Sequence, residues 1–150
     1  MEKETGTHVW LVLYKAARAV ESNAVASISG LGLCLSDFAV LELLLHKGPQ
    51  PVSRLGRKVL LSSGSITAAV DRLEARGLLT RTVDPEDLRS RIVQLTEAGR
   101  ELAEKAFAQH AIDVEDTMAV LRPREREDLV RLLKKLGLWA AARAEANAGA

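Results

Sequence analysis

The 150-residue sequence is poor in cysteine, histidine and aromatic residues, and the shortage of cysteine and histidine argues against several classes of protein. A single cysteine, Cys34, cannot form a disulfide within the chain, so the composition is typical of a reducing cytoplasm. The three histidines form no His-Glu-x-x-His motif, and no nucleophile–base pair stands out, so we predict neither a metal or cofactor nor enzymatic activity. No apolar run approaches the roughly 20 residues that cross a bilayer, which predicts a cytoplasmic protein without membrane contact.

Aliphatic residues, in contrast, are abundant and recur with helical spacing through most of the chain. Their pattern predicts helices over 7–27, 36–46, 53–59 and 62–76, then a long helix after Thr96 and a final helix that begins near Pro123. Thr7, Ser62 and Thr96 are the expected N-caps, because hydroxyl side chains accept the free amides of a first helical turn. The apolar stripes of the outer helices exceed the needs of one small domain, so we expect them to pack against a second copy.

Between the fourth and fifth helices the pattern changes to two short β-branched runs, 79–83 and 91–95, on either side of a charged turn. These runs predict a β-hairpin. The predicted fold is therefore mainly α, a winged helix-turn-helix in the order α-α-α-α-β-hairpin-α-α with a helical dimerisation region. Eight basic and five acidic side chains fall within 53–91, a net charge of +3 against +1 for the whole chain, which concentrates positive charge at this motif.

The helix over 62–76 is the predicted recognition helix, because its buried stripe leaves a face of small polar side chains near its N-terminus. Small hydroxyl groups allow that end of a helix to enter a major groove and bond base edges or phosphates. The predicted DNA contacts on this helix are Ser63, Ser65, Thr67 and Ala68. Lys58, Arg72 and Arg91 are candidate phosphate contacts, or else ordinary solvated charges.

At these residues the sequence resembles the MarR family of winged-helix transcriptional regulators over nearly the whole chain. "DPEDLRSRIVQLTEAG" is similar to the family's wing signature, "SSGSITAAVDRLEARGLLTR" to its recognition helix and "LCLSDFAVLELL" to its second helix. The resemblance implies one domain over 1–150, with a DNA-binding region at 36–95 and dimerisation helices at 7–29 and 96–146. It further implies a homodimer on double-stranded DNA with a pseudo-palindromic operator.

By the wing pattern, Arg89 is the residue that enters the minor groove, and Asp87 would hold its guanidinium. Asp87 is alternatively a turn residue that supports its own backbone. The sequence departs from the family at Leu88, where many members have a second basic residue, and at Ala68, where many have an arginine. We therefore expect fewer base-specific contacts and more reliance on DNA shape.

The resemblance also implies a repressor that a small aromatic or phenolic compound, or an oxidant, releases from DNA. Cys34 precedes the second helix, and a helix N-terminus favours a reactive thiolate, although a buried apolar role is the alternative. Six side chains are candidates for an effector pocket, with core or interface packing as the alternative for each: His8, Trp10, Tyr14, Phe38, Phe107 and His110.

Two other functions remain open from the residues alone. A metal-responsive regulator would need His8 and His110 to converge, which their spacing does not require. A dimerisation adapter without DNA binding would explain the long amphipathic helices but leaves the arginine-bearing hairpin without a role.

Overall fold

The computed structural model describes residues 4–59 and 63–148, with side chains omitted for 57–59 and 63. The predicted order α-α-α-α-β-hairpin-α-α is confirmed, and the chain is mostly helical with a small antiparallel sheet. The elements are α1 Gly6–Ser29, α2 Leu35–Lys47, β1 Gln50–Pro51, α3 Val52–Val59, α4 Ser63–Ala75, β2 Leu79–Val83, β3 Arg91–Leu95, α5 Glu97–Met118 and α6 Pro123–Ala148. The chain forms two compact units that divide between Val114 and Glu115.

Helix ends agree with the predictions except at the start of α1. Its N-cap is Thr5, whose Oγ1 accepts the amide of His8 at 3.2 Å, so the prediction of Thr7 was wrong. Thr5 and Thr7 both fit the sequence pattern of an N-cap. In the structure Thr5 has the extended backbone of an N-cap, whereas Thr7 lies within the helix. Thr96 caps α5 as predicted, and Pro123 is the first residue of α6. The predicted cap Ser62 lies outside the described residues.

The sheet has three strands in the order β1-β3-β2, one more than the sequence predicted. The hairpin β2–β3 has the predicted bounds and pairs Leu79 with Leu95 at its base and Val83 with Arg91 at its top. The extra strand, β1, pairs Gln50 with Val93 and Pro51 with Ile92. A two-residue strand that contains proline has no detectable alternation, and proline is tolerated there because β1 is an edge strand.

The first unit has one aliphatic core beneath the sheet and the helices α2 to α5. Leu41 and Leu44 of α2, Leu55 of α3 and Leu73 of α4 are fully or almost fully buried in it. Full burial of a leucine side chain contributes about 2 kcal/mol, so this core accounts for the rigid placement of α4. The N-terminal half of α1 differs: its apolar stripe, including Val9 and Val12, is about half exposed.

A tight junction connects α4, β2 and α5. Gly77 has φ +71° and its amide bonds to the carbonyl of Glu74, while the amide of Leu78 bonds to that of Leu73. This Schellman arrangement satisfies the last carbonyls of α4 and requires a left-handed residue at position 77. Thr96 then binds both turn residues, because its hydroxyl donates to Gly77 O at 2.7 Å and its amide to Leu78 O at 3.1 Å. The junction fixes the base of the hairpin against the end of α4.

In the second unit, α6 folds back on the end of α5 through one arginine. The guanidinium of Arg126 donates to the carbonyl oxygens of Met118 and Leu121 and to Glu115 Oε1. These bonds satisfy carbonyls at the C-terminal end of α5. No described residue of α6 is buried. An exposed apolar stripe along it is formed by Leu129, Leu132, Leu133 and Leu136, and Val130, Leu138 and Trp139 are further exposed apolar residues of the helix.

Candidate nucleic-acid interface

The outer face of α4 presents the small side chains that the sequence predicted. Ser65, Thr67 and Ala68 are exposed, while Ile66 and Val70 are buried in the core. The helix is therefore oriented with its small polar residues outward, in the manner a major groove requires. The side chains of Ser63 and Lys58, two further predicted contacts, lie outside the described residues.

The tip of the hairpin, residues 84–90, is held by two aspartates that bond to nearby backbone amides. Asp84 Oδ1 accepts the amide of Glu86 at 2.9 Å, and Asp87 Oδ1 accepts the amide of Arg89 at 3.0 Å. Such Asx turns fix a loop without secondary structure. The expected contact between Asp87 and the guanidinium of Arg89 is not formed, because Asp87 accepts the backbone amide of Arg89 instead.

The wing tip presents its arginines differently. The side chain of Arg89 is exposed and makes no hydrogen bond or ion pair with any residue in the described part of the chain. Arg91, in contrast, donates through Nη1 to the carbonyl oxygens of Leu88 and Ser90 at 3.2 and 3.1 Å. Leu88 is 75% exposed. Of the two arginines, Arg89 is thus the one free to reach another molecule.

Arg72 was expected to be a phosphate contact, but the structure places it against α2. Its Nη2 and Nε donate to Asp37 Oδ1 at 2.7 and 3.1 Å, and Nη2 also donates to Ser36 Oγ at 3.1 Å. Asp37 is only 5% exposed and needs a cation, which explains the correction. The hydrogen bond with Asp37 raises the pKa of Arg72 above its ordinary value. Arg72 therefore joins α4 to α2.

Cys34 occupies the N-cap position of α2 and is exposed, with no side-chain capping bond. Its Sγ lies 3.2 Å from Ser36 Oγ and 3.5 Å from Arg72 Nη2. Cys34 therefore lies beside a cation at the start of a helix, and its exposure differs from the alternative of a buried apolar residue.

The six predicted effector residues do not form one group in the chain. Trp10 and Tyr14 stack on each other at the exposed surface of α1, and His8 pairs with Glu4. Apart from these three residues of α1, Phe38 of α2 packs against His110 of α5 with ring centroids 4.6 Å apart. Residues 8–14 precede the part of α1 that reaches the core, so within one chain the six residues fall into two groups, and their shared pocket stays a prediction.

The second group, called the ring cluster here, consists of two ring pairs between α2 and α5, Phe38 with His110 and His46 with Phe107. His110 Nδ1 lies 2.9 Å from Ser27 Oγ, which links α5 to α1. Phe107 contacts His46, a residue that the sequence did not select, in an edge-on arrangement at 4.7 Å. Histidine spacing alone gave no signal for His46, because its partner is 61 positions away on another helix.

Neither a cluster of metal ligands nor a membrane-spanning helix is found in the described part of the chain. Within residues 4–59 and 63–148, no three histidine, cysteine, aspartate or glutamate side chains converge as metal ligands would. Among the same residues, no helix combines the length and hydropathy that a bilayer crossing demands.

Sequence reasoning missed three contacts of the cationic side chains around α4. Arg81 of β2 binds Asp71 and Glu74, and Arg76 donates to the carbonyl of Gly32 at 2.8 Å. In the sequence these arginines are merely charges near the motif. Their partners lie 7 to 44 positions away, so only the folded arrangement reveals them.

Comparison with known proteins gives one consistent result. The MarR family model matches residues 33–90. The HTH-type transcriptional regulator MhqR of Bacillus subtilis (strain 168) is 41% identical over 90% of this chain and 93% of its own length. The organic hydroperoxide resistance transcriptional regulator of the same organism is 31% identical, covering 83% of this chain and 82% of its own.

Solved structures agree with these relatives. One, described as showing how 6-hydroxynicotinic acid regulates DNA binding of Bordetella bronchiseptica BpsR, has a TM-score of 0.72 and 27% identity to this chain. It covers 83% of this chain and 98% of that one. Winged-helix geometry, the family model and relatives matched over most of their length all coincide, and the chain belongs to the MarR family of transcriptional regulators.

Proposed function

We propose that the protein is a sequence-specific DNA-binding repressor that inserts α4 into the major groove and the wing into the adjacent minor groove. The observation that carries this proposal is the exposed guanidinium of Arg89, which has no partner in the described part of the chain and stands at the tip of the paired hairpin β2–β3. Arginine is favoured in minor grooves, where the negative potential is enhanced. Ser65, Thr67 and Ala68 supply the groove-facing surface of α4.

The repressor acts as a homodimer in this proposal, with 7–29 and 96–146 as the dimerisation helices and 36–95 as the DNA-binding region. Exposed apolar residues on α1 and, separately, on α6 support it, because exposed apolar patches mark interaction surfaces. A twofold dimer presents two recognition helices roughly 34 Å apart, one turn of DNA, and so selects a pseudo-palindromic operator.

The test is binding to the DNA upstream of the protein's own gene, titrated against salt. The wild-type protein is expected to bind with nanomolar affinity that falls steeply with salt, and much more tightly than to random duplex. Arg89→Ala is expected to lose about tenfold in affinity, since a groove-inserted arginine contributes about 1–3 kcal/mol.

Lys47→Ala, which removes an exposed cation from the C-terminal end of α2, outside the dimerisation helices and away from the proposed groove contacts, is the matched control and should leave affinity unchanged. Equal affinity of the wild-type protein and Arg89→Ala would refute the wing contact. A wild-type protein without preference for any duplex would instead favour the dimerisation adapter, which makes no use of Arg89.

For the releasing signal we infer two candidates, each supported by a different observation. The ring cluster of Phe38, Phe107 and His110 offers aromatic faces and an imidazole–hydroxyl pair, which suit a small aromatic acid or phenol. The regulation of BpsR by 6-hydroxynicotinic acid supports this class of ligand. Cys34 beside Arg72 suits an electrophile or oxidant, and the hydroperoxide resistance relative supports that class.

The cysteine candidate gives a direct prediction with 1,4-benzoquinone. The Cys34 thiolate adds to a ring carbon of the quinone, and the adduct gains a proton to become a hydroquinone, so no second cysteine is required. A bulky ring on Sγ, 3.5 Å from Arg72, would disturb the contact between α2 and α4. We expect at least tenfold weaker DNA binding after treatment.

Cys34→Ser should keep its DNA affinity through the same treatment, and Ser36→Ala, which retains the thiol, should respond like the wild-type protein. A Cys34→Ser variant that is released as readily as the wild-type protein would eliminate Cys34 as the sensor and leave the ring cluster as the remaining candidate. Mass spectrometry of the treated protein identifies the modified residue.

A further inference from the structure

Arg81 of the wing strand β2 lies against two carboxylates of the recognition helix α4. Its Nη2 pairs with Asp71 Oδ1, and its Nε lies 3.2 Å from Glu74 Oε2. The arginine side chain is 26% exposed, whereas those of Asp71 and Glu74 are 57% and 43% exposed. One cation therefore bridges an i, i+3 pair of acids on a neighbouring element.

Asp71 stands on the face that the proposed function places in the major groove. It follows Ala68 by three positions and Thr67 by four, so the three side chains are neighbours on the helix surface. All three are exposed, and the opposite face is buried through Val70 and Leu73. An uncompensated carboxylate at this place would face the phosphates, and like charges across an interface oppose association.

The other arginines of α4 and its C-terminus are occupied elsewhere. Arg72 binds Asp37, and Arg76 donates to the carbonyl of Gly32. In the described part of the chain, Arg81 is the cation that contacts Asp71 and Glu74. Neutralisation of the recognition face therefore depends on a residue of the wing.

The same bridge fixes the direction of the wing. Arg81 pairs with Val93 in the β2–β3 ladder, midway along the hairpin, whereas the junction at Gly77 and Thr96 holds only its base. A second attachment above the base restricts rotation of the hairpin about the junction. The tip with Arg89 extends from the strands that this bridge holds.

We propose that Arg81 is a positioning residue for DNA recognition: it neutralises Asp71 and Glu74 on the recognition face and fixes the wing relative to α4. This inference rests on the proposed function, since it assumes that α4 and the wing contact DNA together. Arg81 itself contacts no phosphate in this arrangement, because its Nη2 and Nε face the two carboxylates.

The test measures affinity and its salt dependence for the duplex that the wild-type protein selects from a random pool. Arg81→Gln is expected to bind at least tenfold more weakly with an unchanged slope of log affinity against log salt. The triple variant Arg81→Gln/Asp71→Asn/Glu74→Gln is expected to recover at least half of the lost affinity on a logarithmic scale, because the two carboxylates no longer repel the phosphates. Thermal unfolding confirms that each variant is folded at the temperature of the assay.

A second variant keeps the inference testable if Arg81→Gln does not fold. Asp71→Asn/Glu74→Gln retains Arg81 but removes the bridge, so the wing is no longer held. We expect its affinity for the selected duplex, relative to a scrambled one, to fall at least fivefold while its affinity for the scrambled duplex does not fall. A merely structural role would lower both affinities together.

Three results would overturn the inference. Arg81→Gln could bind with the affinity of the wild-type protein, or its slope of log affinity against log salt could be shallower by about 0.9, which marks a lost phosphate contact. The third result is a triple variant that recovers no affinity. For the second variant, an unchanged ratio of the two affinities would do the same. Failure of the proposed function is distinguishable, because the wild-type protein would then select no duplex at all.

Discussion

Replacing Gly99 with alanine is expected to lower the free energy of unfolding of the first unit by about 4 kcal/mol, through steric overpacking and lost hydrogen bonds. A Cβ at position 99 would lie 1.7 Å from the carbonyl oxygen of Leu78 and 2.8 Å from its carbonyl carbon. Both atoms belong to the backbone, so α5 or the turn must move. That carbonyl accepts the amide of Thr96, and movement would break the junction of α4, β2 and α5.

Since domains are typically stable by about 5–15 kcal/mol, a loss of this size removes a large part of the margin. Urea unfolding followed by circular dichroism gives the difference directly. Gly30→Ala is the matched control: Gly30 has φ −62°, and an added Cβ meets nothing within 4 Å, so stability should stay the same or rise by up to about 1 kcal/mol. Equal midpoints for Gly99→Ala and the wild-type protein would contradict the steric argument.

Arg72→Ala is expected to reduce stability by about 2 kcal/mol, because it leaves the carboxylate of Asp37 buried without its cation. The loss is smaller than for a fully buried pair, since the Arg72 side chain is 47% exposed and water screens the interaction. The salt dependence of DNA binding is expected not to change, because Arg72 is bonded to Asp37 of α2 and its charge is compensated there.

Chemical denaturation and salt titration are measured on the same preparation. Asp37→Asn in the Arg72→Ala background should recover about half of the stability, because no unpaired charge remains. Arg100→Ala, which removes an exposed arginine from α5, is the control and should stay within about 0.5 kcal/mol of the wild-type protein. Unchanged stability of Arg72→Ala, with a slope shallower by about 0.9, would restore Arg72 as a phosphate contact.

Local patterns were sufficient to predict the helices and the hairpin. The buried stripe of Ile66, Ala69, Val70 and Leu73 is spaced for one helix face, and all four residues are in the core. The β-branched runs gave both hairpin strands their correct bounds. Thr96 and Gly99 of the wing signature now have physical reasons: one binds the turn after α4, and the other leaves room for the Leu78 carbonyl.

Contacts between distant residues were not predictable in the same way. The wing pattern singled out Arg89, but nothing local shows that Arg72 binds a buried carboxylate 35 positions away. In the sequence Arg72 looks like an ordinary surface charge. The effector set stays a prediction for a related reason, because helical spacing places Trp10 and Tyr14 on one face but does not say what that face meets.

The wing tip is connected to the rest of the unit in a way that bears on how such regulators diverge. Within 84–90 the backbone bonds are local: the amide of Asp84 donates to Ser90 O, and that of Ser90 to Asp87 O. The ladder below the tip supplies the stability, so side chains such as Leu88 can be exchanged without disturbing the core. Under the proposed wing contact, operator preference can therefore drift by substitution at the tip on a constant scaffold, and duplicated genes can acquire separate targets without first becoming unstable.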